Sequence, residues 1–225
     1  MCSRGKVMFS RNIKFIQLAV VLVGLSACAL DRSTVSIDAP ENISNPVNGV
    51  EVKLVSVIDE RMFEFKPATP DIPSLSEDEI IDADIKARAF ARKRNSYGQA
   101  LGDVILPEDE TVADIMKNAL TRAFREAGYR VLEQGDPAYE TAIPVDARIR
   151  QFWSWIEWGF WELGLRNRAE VYLEAKTGPL NGGMTVMNER VSKQAAVFES
   201  DWQQSATLGM QEISAKVSAE LRKLQ

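Results

Sequence analysis

The sequence predicts an α+β protein: a single domain with an antiparallel sheet of about four to five strands, two helices packed on one of its faces, and a signal peptide and flexible tether ahead of it. Three observations predict this. Apolar residues recur at three- and four-residue spacing in only two well-capped stretches, near 112–124 and 202–224. Strict apolar/polar alternation fills 141–153, 167–176 and 184–198, which is the period of a strand with one wet face. Turn residues separate these segments, most plainly Thr177-Gly178-Pro179-Leu180-Asn181-Gly182-Gly183.

In chain order, residues 1–27 read as the signal peptide. Arg4, Lys6, Arg11 and Lys14 make a positive start, and an apolar run from Phe15 to Gly24 follows, broken only by Gln17. That run is too short to cross about 30 Å of hydrocarbon as a helix, which takes about 20 residues. Val21 to Gly24 and then Leu25-Ser26-Ala27-Cys28 resemble the lipobox of bacterial lipoproteins. The resemblance implies cleavage before Cys28, a diacylglyceryl thioether on its sulfur and, usually, an acylated amine. Cysteine suits this step because its thiolate is readily alkylated. Several acyl chains anchor durably, at about 0.8 kcal/mol per buried CH₂. Cys2 lies in the removed segment, so no disulfide framework is expected. Ala29 stands where an aspartate would imply retention in the inner membrane, which favours the outer membrane.

Residues 28–48 read as a lipidated tether, rich in Ser, Asn, Asp and Pro; twenty residues reach about 66 Å when extended. The domain proper is expected over 49–225. Its first strand spans about Val50 to Ile58, and Asp59-Glu60-Arg61 closes it. That acidic-basic cluster reads as a local ion pair ending the strand in water, the alternative being a ligand-binding group. Residues 62–96 read as an insertion of loop and helix. Three prolines lie between Lys66 and Pro73, Ser76 stands as a helix N-cap, and Arg88, Arg92, Lys93 and Arg94 gather at the basic end, which reads as a solvated helix end, the alternative being a dock for an acidic partner. A short strand is expected near Val104 to Leu106.

The strongest helix follows. Asp109 or Thr111 caps it, Gly128 ends it, and Val112, Ile115, Met116, Ala119, Leu120, Ala123 and Phe124 form its apolar face. Tyr129 to Leu132 read as a strand. The next strand is expected to set Val145, Ala147, Ile149, Gln151 and Trp153 on one face and Asp146, Arg148, Arg150 and Phe152 on the other. Phe152 to Trp161 holds four of the five tryptophans and reads as the connection of a hairpin. Two readings stand for it: aromatics covering the core, or an exposed tip that meets a partner or a membrane interface. On the second, Trp155, Trp158 and Trp161 are the possible partner contacts, with Trp158 and Trp161 partly exposed. Asp201 then caps a last helix with Trp202, Ala206, Met210, Ile213, Val217, Leu221 and Leu224 inward.

Composition narrows the function. The chain carries a formal charge of −5, and the leader removes only positive side chains. An acidic domain is a poor fit to nucleic acid or to an anionic lipid surface, so its anchor is expected to be covalent rather than electrostatic. Histidine is absent, which removes His-based general bases, Ser-His-Asp triads and most zinc sites. No catalytic, cofactor-binding or metal-binding residue is nominated; the one modification expected is the covalent lipid on Cys28.

Leu25-Ser26-Ala27-Cys28, Val57-Ile58-Asp59-Glu60-Arg61, Ala119-Leu120, Ala127-Gly128-Tyr129-Arg130-Val131 and the alternating strand after them resemble the YajG-like family of bacterial envelope lipoproteins, over most of 50–220. Residues 62–96 and the tryptophan-rich hairpin depart from that pattern. The resemblance implies a lipoprotein anchored in the envelope, facing the periplasm, without known catalytic residues. The leading expectation is a non-enzymatic accessory or scaffold protein that touches the bilayer through acylated Cys28 and an envelope protein through the aromatic hairpin. Two other classes compete: a module binding a lipid or small ligand, and a cell-wall glycan hydrolase using Asp59 and Glu60. Adjacent strand residues point to opposite faces, so those two carboxylates make a poor pair.

Overall fold

The computed structural model describes residues 32–225. The leader, its lipobox and Cys28 lie outside the described residues.

The chain forms strands β1 (Ser33–Thr34) and β2 (Glu51–Asp59), helix α1 (Ala83–Arg88), β3 (Ala89–Arg94), β4 (Ala100–Ile105), α2 (Val112–Glu126), β5 (Arg130–Val131), β6 (Ile143–Trp158), β7 (Leu163–Ala175), β8 (Met184–Gln194) and α3 (Glu199–Arg222). The expectation of four to five antiparallel strands and two helices is therefore corrected: among the described residues the sheet has eight strands and is mixed, and three α-helices accompany it.

Strand β6, 16 residues long, organises the sheet. One edge pairs antiparallel with β7 from Val145 to Trp158, and β7 pairs antiparallel with β8. The other edge is shared. Its first half pairs parallel with β2, through Val52–Ile143 to Asp59–Ile149, and β2 pairs parallel with β5. Its second half meets β3 at Ser154 opposite Ala91, and β3 leads on through β4 to β1. The sheet thus forks where β2 stops and β3 starts. Parallel pairing of segments some 90 residues apart has no local signal, which is why alternation read alone suggests an antiparallel sheet.

A bulge at Arg150, where Ile149 pairs Val171 and Gln151 pairs Glu170, changes which side chains face inward. Val145, Ala147 and Ile149 belong to the main core; beyond the bulge Phe152 does, with Ile156 packed against it. Trp153 and Trp155 turn to the opposite face. The expectation that Trp153 continues the row of Ile149 is corrected by that one extra residue.

The main core lies between the sheet and helices α2 and α3. The Thr111 hydroxyl accepts from Asp114 N at 3.1 Å to start α2, and Gly128, at φ +93°, ends it. Leu120 and Phe124 are fully buried, each stabilising the fold by about 1.5–3 kcal/mol. At the start of α3 the Asp201 carboxylate accepts from Phe198 N at 2.7 Å. Leu224, expected in the buried stripe of this helix, is exposed beyond its end.

Two further expectations are corrected. Residues 32–48 are no free tether. Ser33 and Thr34 pair with Val104 and Ile105, and Val35 and Ile37 enter the core. The strap then crosses the helices: Asp38 N donates to the Thr207 hydroxyl, Arg122 donates to Glu41 O, and Arg125 donates to Ile43 O. Asn45 ends it by accepting from Val131 N at 2.8 Å and donating to Val131 O at 2.9 Å, as a strand neighbour would. Residues 62–96 are no appendage either. The helix runs over Ala83–Arg88 with Asp82 as its cap, instead of starting after Ser76. The chain then contributes β3 to the sheet, with Phe90 fully buried. Ahead of that, Phe63, Leu75, Ile80 and Ile85 cover Trp153 and Trp155 in a second core on the sheet's other face.

Among the described residues no helix is long and apolar enough to cross a membrane.

A candidate binding cleft beside the aromatic hairpin

Asp59-Glu60-Arg61 sits in the fork of the sheet, and Arg61 fills it. Its guanidinium is fully buried; Nε and Nη2 donate to the two carboxylate oxygens of Asp59 at 2.8 and 2.7 Å. Nη1 donates to Ala89 O and Phe152 O at 2.6 and 3.1 Å, and Nη2 to Lys86 O at 2.7 Å. This corrects the picture of an ion pair closing the strand in water. Glu60 points away to Arg148, 3.6 Å distant, so the two carboxylates do not face one another.

The aromatic segment divides. Trp153 is fully buried and its indole N–H donates to Pro70 O at 3.1 Å. Trp155, expected among the exposed contacts, is 5% exposed and lies under the Arg168 guanidinium, 5.1 Å from its ring. Trp158 is 47% exposed and Trp161 89%. Between them Gly159 N donates to Glu162 O at 3.1 Å, and a Cβ on Gly159 would lie 2.6 Å from that carbonyl, so only glycine fits the tip. Phe160 and Trp161 stand edge to face at the apex, their centroids 4.6 Å apart.

A cleft of about 540 Å³ opens beside this hairpin, lined by Pro67, Pro70, Arg94, Ser96, Trp155 and Trp158 among others. Its outer wall, residues 67–71, is fastened to the sheet by Gln151, which donates to Asp71 O at 3.1 Å, and by Arg168, which donates to the Asp71 carboxylate at 3.1 Å. Arg168 and Arg166 also donate to Glu189, each at 2.8 Å, and Arg166 to Glu157 at 2.7 Å. A hydrogen bond from Thr69 holds the Asp71 carboxyl below the usual aspartate range; partial burial opposes this and Arg168 adds to it. For Glu189 burial works upward, but the hydrogen bonds and charges of Arg168 and Arg166 outweigh it and the group ends low. Every acidic group in the wall is thus already held by an arginine.

Arg94 differs. Nη1 donates to Gly98 O at 2.8 Å and Nη2 to the Ser74 hydroxyl at 2.9 Å, while the buried Nε has no hydrogen-bond partner. Among the described residues no carboxylate lies within ion-pair distance of it. Burial and then the neighbouring Arg92 push its pKa below the ordinary arginine value, with distant Asp103 opposing. The same guanidinium lines a second hollow of about 430 Å³ with Phe65, Lys66, Arg92 and Tyr97, where no lining residue is acidic. Sequence reasoning placed Arg94 in a basic helix end, with an acidic partner docking there as the alternative reading, and missed the 67–71 wall. The prolines marked a loop, and the basic run marked a helix end; no local pattern says that the two meet across the sheet.

The class of protein these features define is an α+β domain with a forked mixed sheet, helices α2 and α3 on one face and, on the other, a short helix, a second core and a cleft. No protein-family model matches the chain, and no curated protein matches it. Among solved structures it is similar to a protein described only as uncharacterized, at 10% identity over 85% of this chain and 97% of that one, with a TM-score of 0.45. It is also similar to a protein from Xanthomonas campestris assigned to the family DUF330, at 10% identity over 86% of this chain and 98% of that one, with a TM-score of 0.40.

Proposed function

We propose that this chain is a YajG-like, lipid-anchored accessory protein of the bacterial cell envelope, facing the periplasm, that holds a partner protein in the cleft beside the β6–β7 hairpin. The lipobox carries the anchor. One observation carries the binding role: the cleft pairs an apolar tryptophan wall with a single arginine, Arg94, left without a carboxylate. A partner segment that lays apolar side chains on Trp158 and presents a carboxylate to Arg94 complements it, because a charge-assisted bond to a half-buried guanidinium supplies specificity. The three carboxylates of the wall, Asp71, Glu157 and Glu189, are each already bonded to Arg166 or Arg168, which suits holding a ligand rather than transforming it.

The test is photo-crosslinking in the native envelope from a reactive residue at Ser96, with Cys28 intact, beside mass spectrometry of the mature N-terminus. A discrete protein adduct that weakens in Arg94→Gln, on an acylated Cys28, is expected. Adducts unaffected by Arg94→Gln count against the cleft; a free thiol at Cys28, or residues 1–27 still attached, counts against the anchor. The cleft volume also falls in the range of small-ligand sites, about 300–1,000 Å³. Recovery of a lipid from the purified protein would favour that second reading.

A further inference from the structure

The register of the sheet sorts the ends of the molecule. Strand β3 runs parallel to β6, so the turn after Arg94 lies at the same end as the β6–β7 tip. Strand β8 runs antiparallel to β7 and ends with Gln194 opposite Leu163, which brings the start of α3 to that end as well. All the strongly exposed aromatic side chains among the described residues gather there: Tyr97 (89%) on the β3–β4 turn, Trp158, Phe160 (87%) and Trp161 on the hairpin, and Phe198 (67%) ahead of α3. Phe65 adjoins Tyr97 across the second hollow.

The chain enters the domain from the same end. Ser33, Val104, Ala91 and Ser154 form one row across the sheet, and β1 runs parallel to β4, away from the aromatic end. Arg32, the first described residue, therefore lies on the aromatic side of Ser33. Trp158 lies four residues beyond that row along β6, about 13 Å. Cys28 lies five residues before Ser33 and reaches at most about 18 Å from it. Because residues 33–45 are fastened to the sheet and helices, only that short connection separates the domain from the expected anchor point.

We propose that the aromatic end of the sheet rests on the lipid bilayer, with Phe160 and Trp161 in the headgroup region and Tyr97 and Phe198 beside them. The inference rests on the lipid-anchored reading above and adds an orientation to it. Tryptophan and tyrosine favour this depth because the ring is apolar and its polar edge stays hydrated. An acyl chain whose attachment point is held within about 18 Å of the sheet brings the tips to the surface without a further binding step.

The experiment uses the full mature protein carrying its lipid, reconstituted into vesicles of phosphatidylethanolamine and phosphatidylglycerol, some made with lipid brominated near the headgroup. Tryptophan emission is expected to be quenched by the brominated lipid and shielded from acrylamide. Trp161→Ser is expected to lose most of that quenching while the protein still floats with the vesicles. Trp161 is solvent-facing and lies outside the cleft, and an unchanged circular dichroism spectrum confirms folding. Acylated, vesicle-bound protein without bromine quenching overturns this orientation and leaves the anchor standing. An unacylated Cys28 overturns both. A reactive residue placed at Phe160 that labels protein instead of lipid in the native envelope also overturns the orientation.

Discussion

The side-chain oxygen of Asn167 on β7 rests against Gly209 of α3, where any Cβ would collide with it. Asn167 is fully buried and its amide donates to the Ser154 hydroxyl at 2.9 Å, so a polar pair sits on the inner face of the sheet under the helix. Ser205, Ala206, Gly209, Ser214 and Ser218 are the small residues that α3 turns inward. They let the helix lie close enough for Ser214 to donate to Ala119 O of α2 at 2.8 Å. Gly209→Ala is expected to destabilise the domain by about 1–3 kcal/mol, as overpacking does, despite alanine's better helix propensity. Asn167→Ala removes the obstructing group, so Gly209→Ala should cost less in that background. Urea unfolding of the four proteins of the cycle reads the coupling. Additive costs would mean that the contact does not limit the helix approach.

Arg61 is expected to be the most sensitive buried charge among the described residues. Arg61→Met leaves the Asp59 carboxylate and the carbonyls of Lys86, Ala89 and Phe152 without their donor. Removing one partner of a buried pair costs about 3–5 kcal/mol. Arg61→Lys should recover only part of this, since one ammonium cannot span four acceptors that a planar guanidinium reaches together. The denaturant midpoint checks it. A lysine variant as stable as the native protein would show that charge, and not the fork-filling shape, is what the site requires.

Which parts of this were legible in the sequence follows from how local each signal is. Helix α2 carries its cap, its stripe and its stop within one stretch, and the β6–β7–β8 meander carries alternation and turns. The bulge at Arg150 leaves no trace in Arg148-Ile149-Arg150-Gln151, yet it moves Trp153 and Trp155 to the other face and so decides which tryptophans stay exposed. Val35 and Ile37 are too few to mark a strand, and their partner Ile105 lies 70 residues on. Ala89-Phe90-Ala91 reads as the end of a helix until β6 is there to pair with it. The cleft is least legible, being made where a proline-rich loop, a basic strand end and a hairpin converge.

Acid is expected to loosen the cleft before it unfolds the core. Asp71 and Glu189 both have folded-state pKa values below their unfolded ones, so the native state binds fewer protons and stability rises with pH across that interval. Their contribution is whole above the ordinary values of about 3.9 and 4.3 and is lost as pH falls through the depressed ones. Asp103 runs the other way: burial, opposed by Arg92, pushes its carboxyl up, so it favours the folded state at low pH. Thr69→Ala leaves Asp103 untouched and relieves Asp71, so its urea midpoint should fall less steeply than that of the native protein between about pH 5 and pH 3. Coincident profiles would mean that the 67–71 wall is not held by this bond.

Docking of residues 33–45 decides how far the domain can stray from the chain that precedes it, and amide exchange measures it directly. Val35 N donates to Ile105 O at 2.8 Å beneath a side chain in the core, and Val131 N is satisfied by the Asn45 side chain. A free tether would exchange these amides at random-coil rates; a docked strap opens only with the sheet and should be protected to nearly the global stability. Val35→Ala is expected to cost about 1.5–3 kcal/mol through its lost methyl groups and the space they leave. Asn45→Ala is expected to cost about 1–3 kcal/mol, the worth of two hydrogen bonds, and to expose the Val131 amide to exchange. Both costs have to appear in unfolding of the whole domain, because the strap lies between the helices and the edge strands and cannot leave without uncovering the core. Fast exchange at Val35 together with a neutral Val35→Ala would return this segment to a tether and remove the short reach on which the membrane orientation depends.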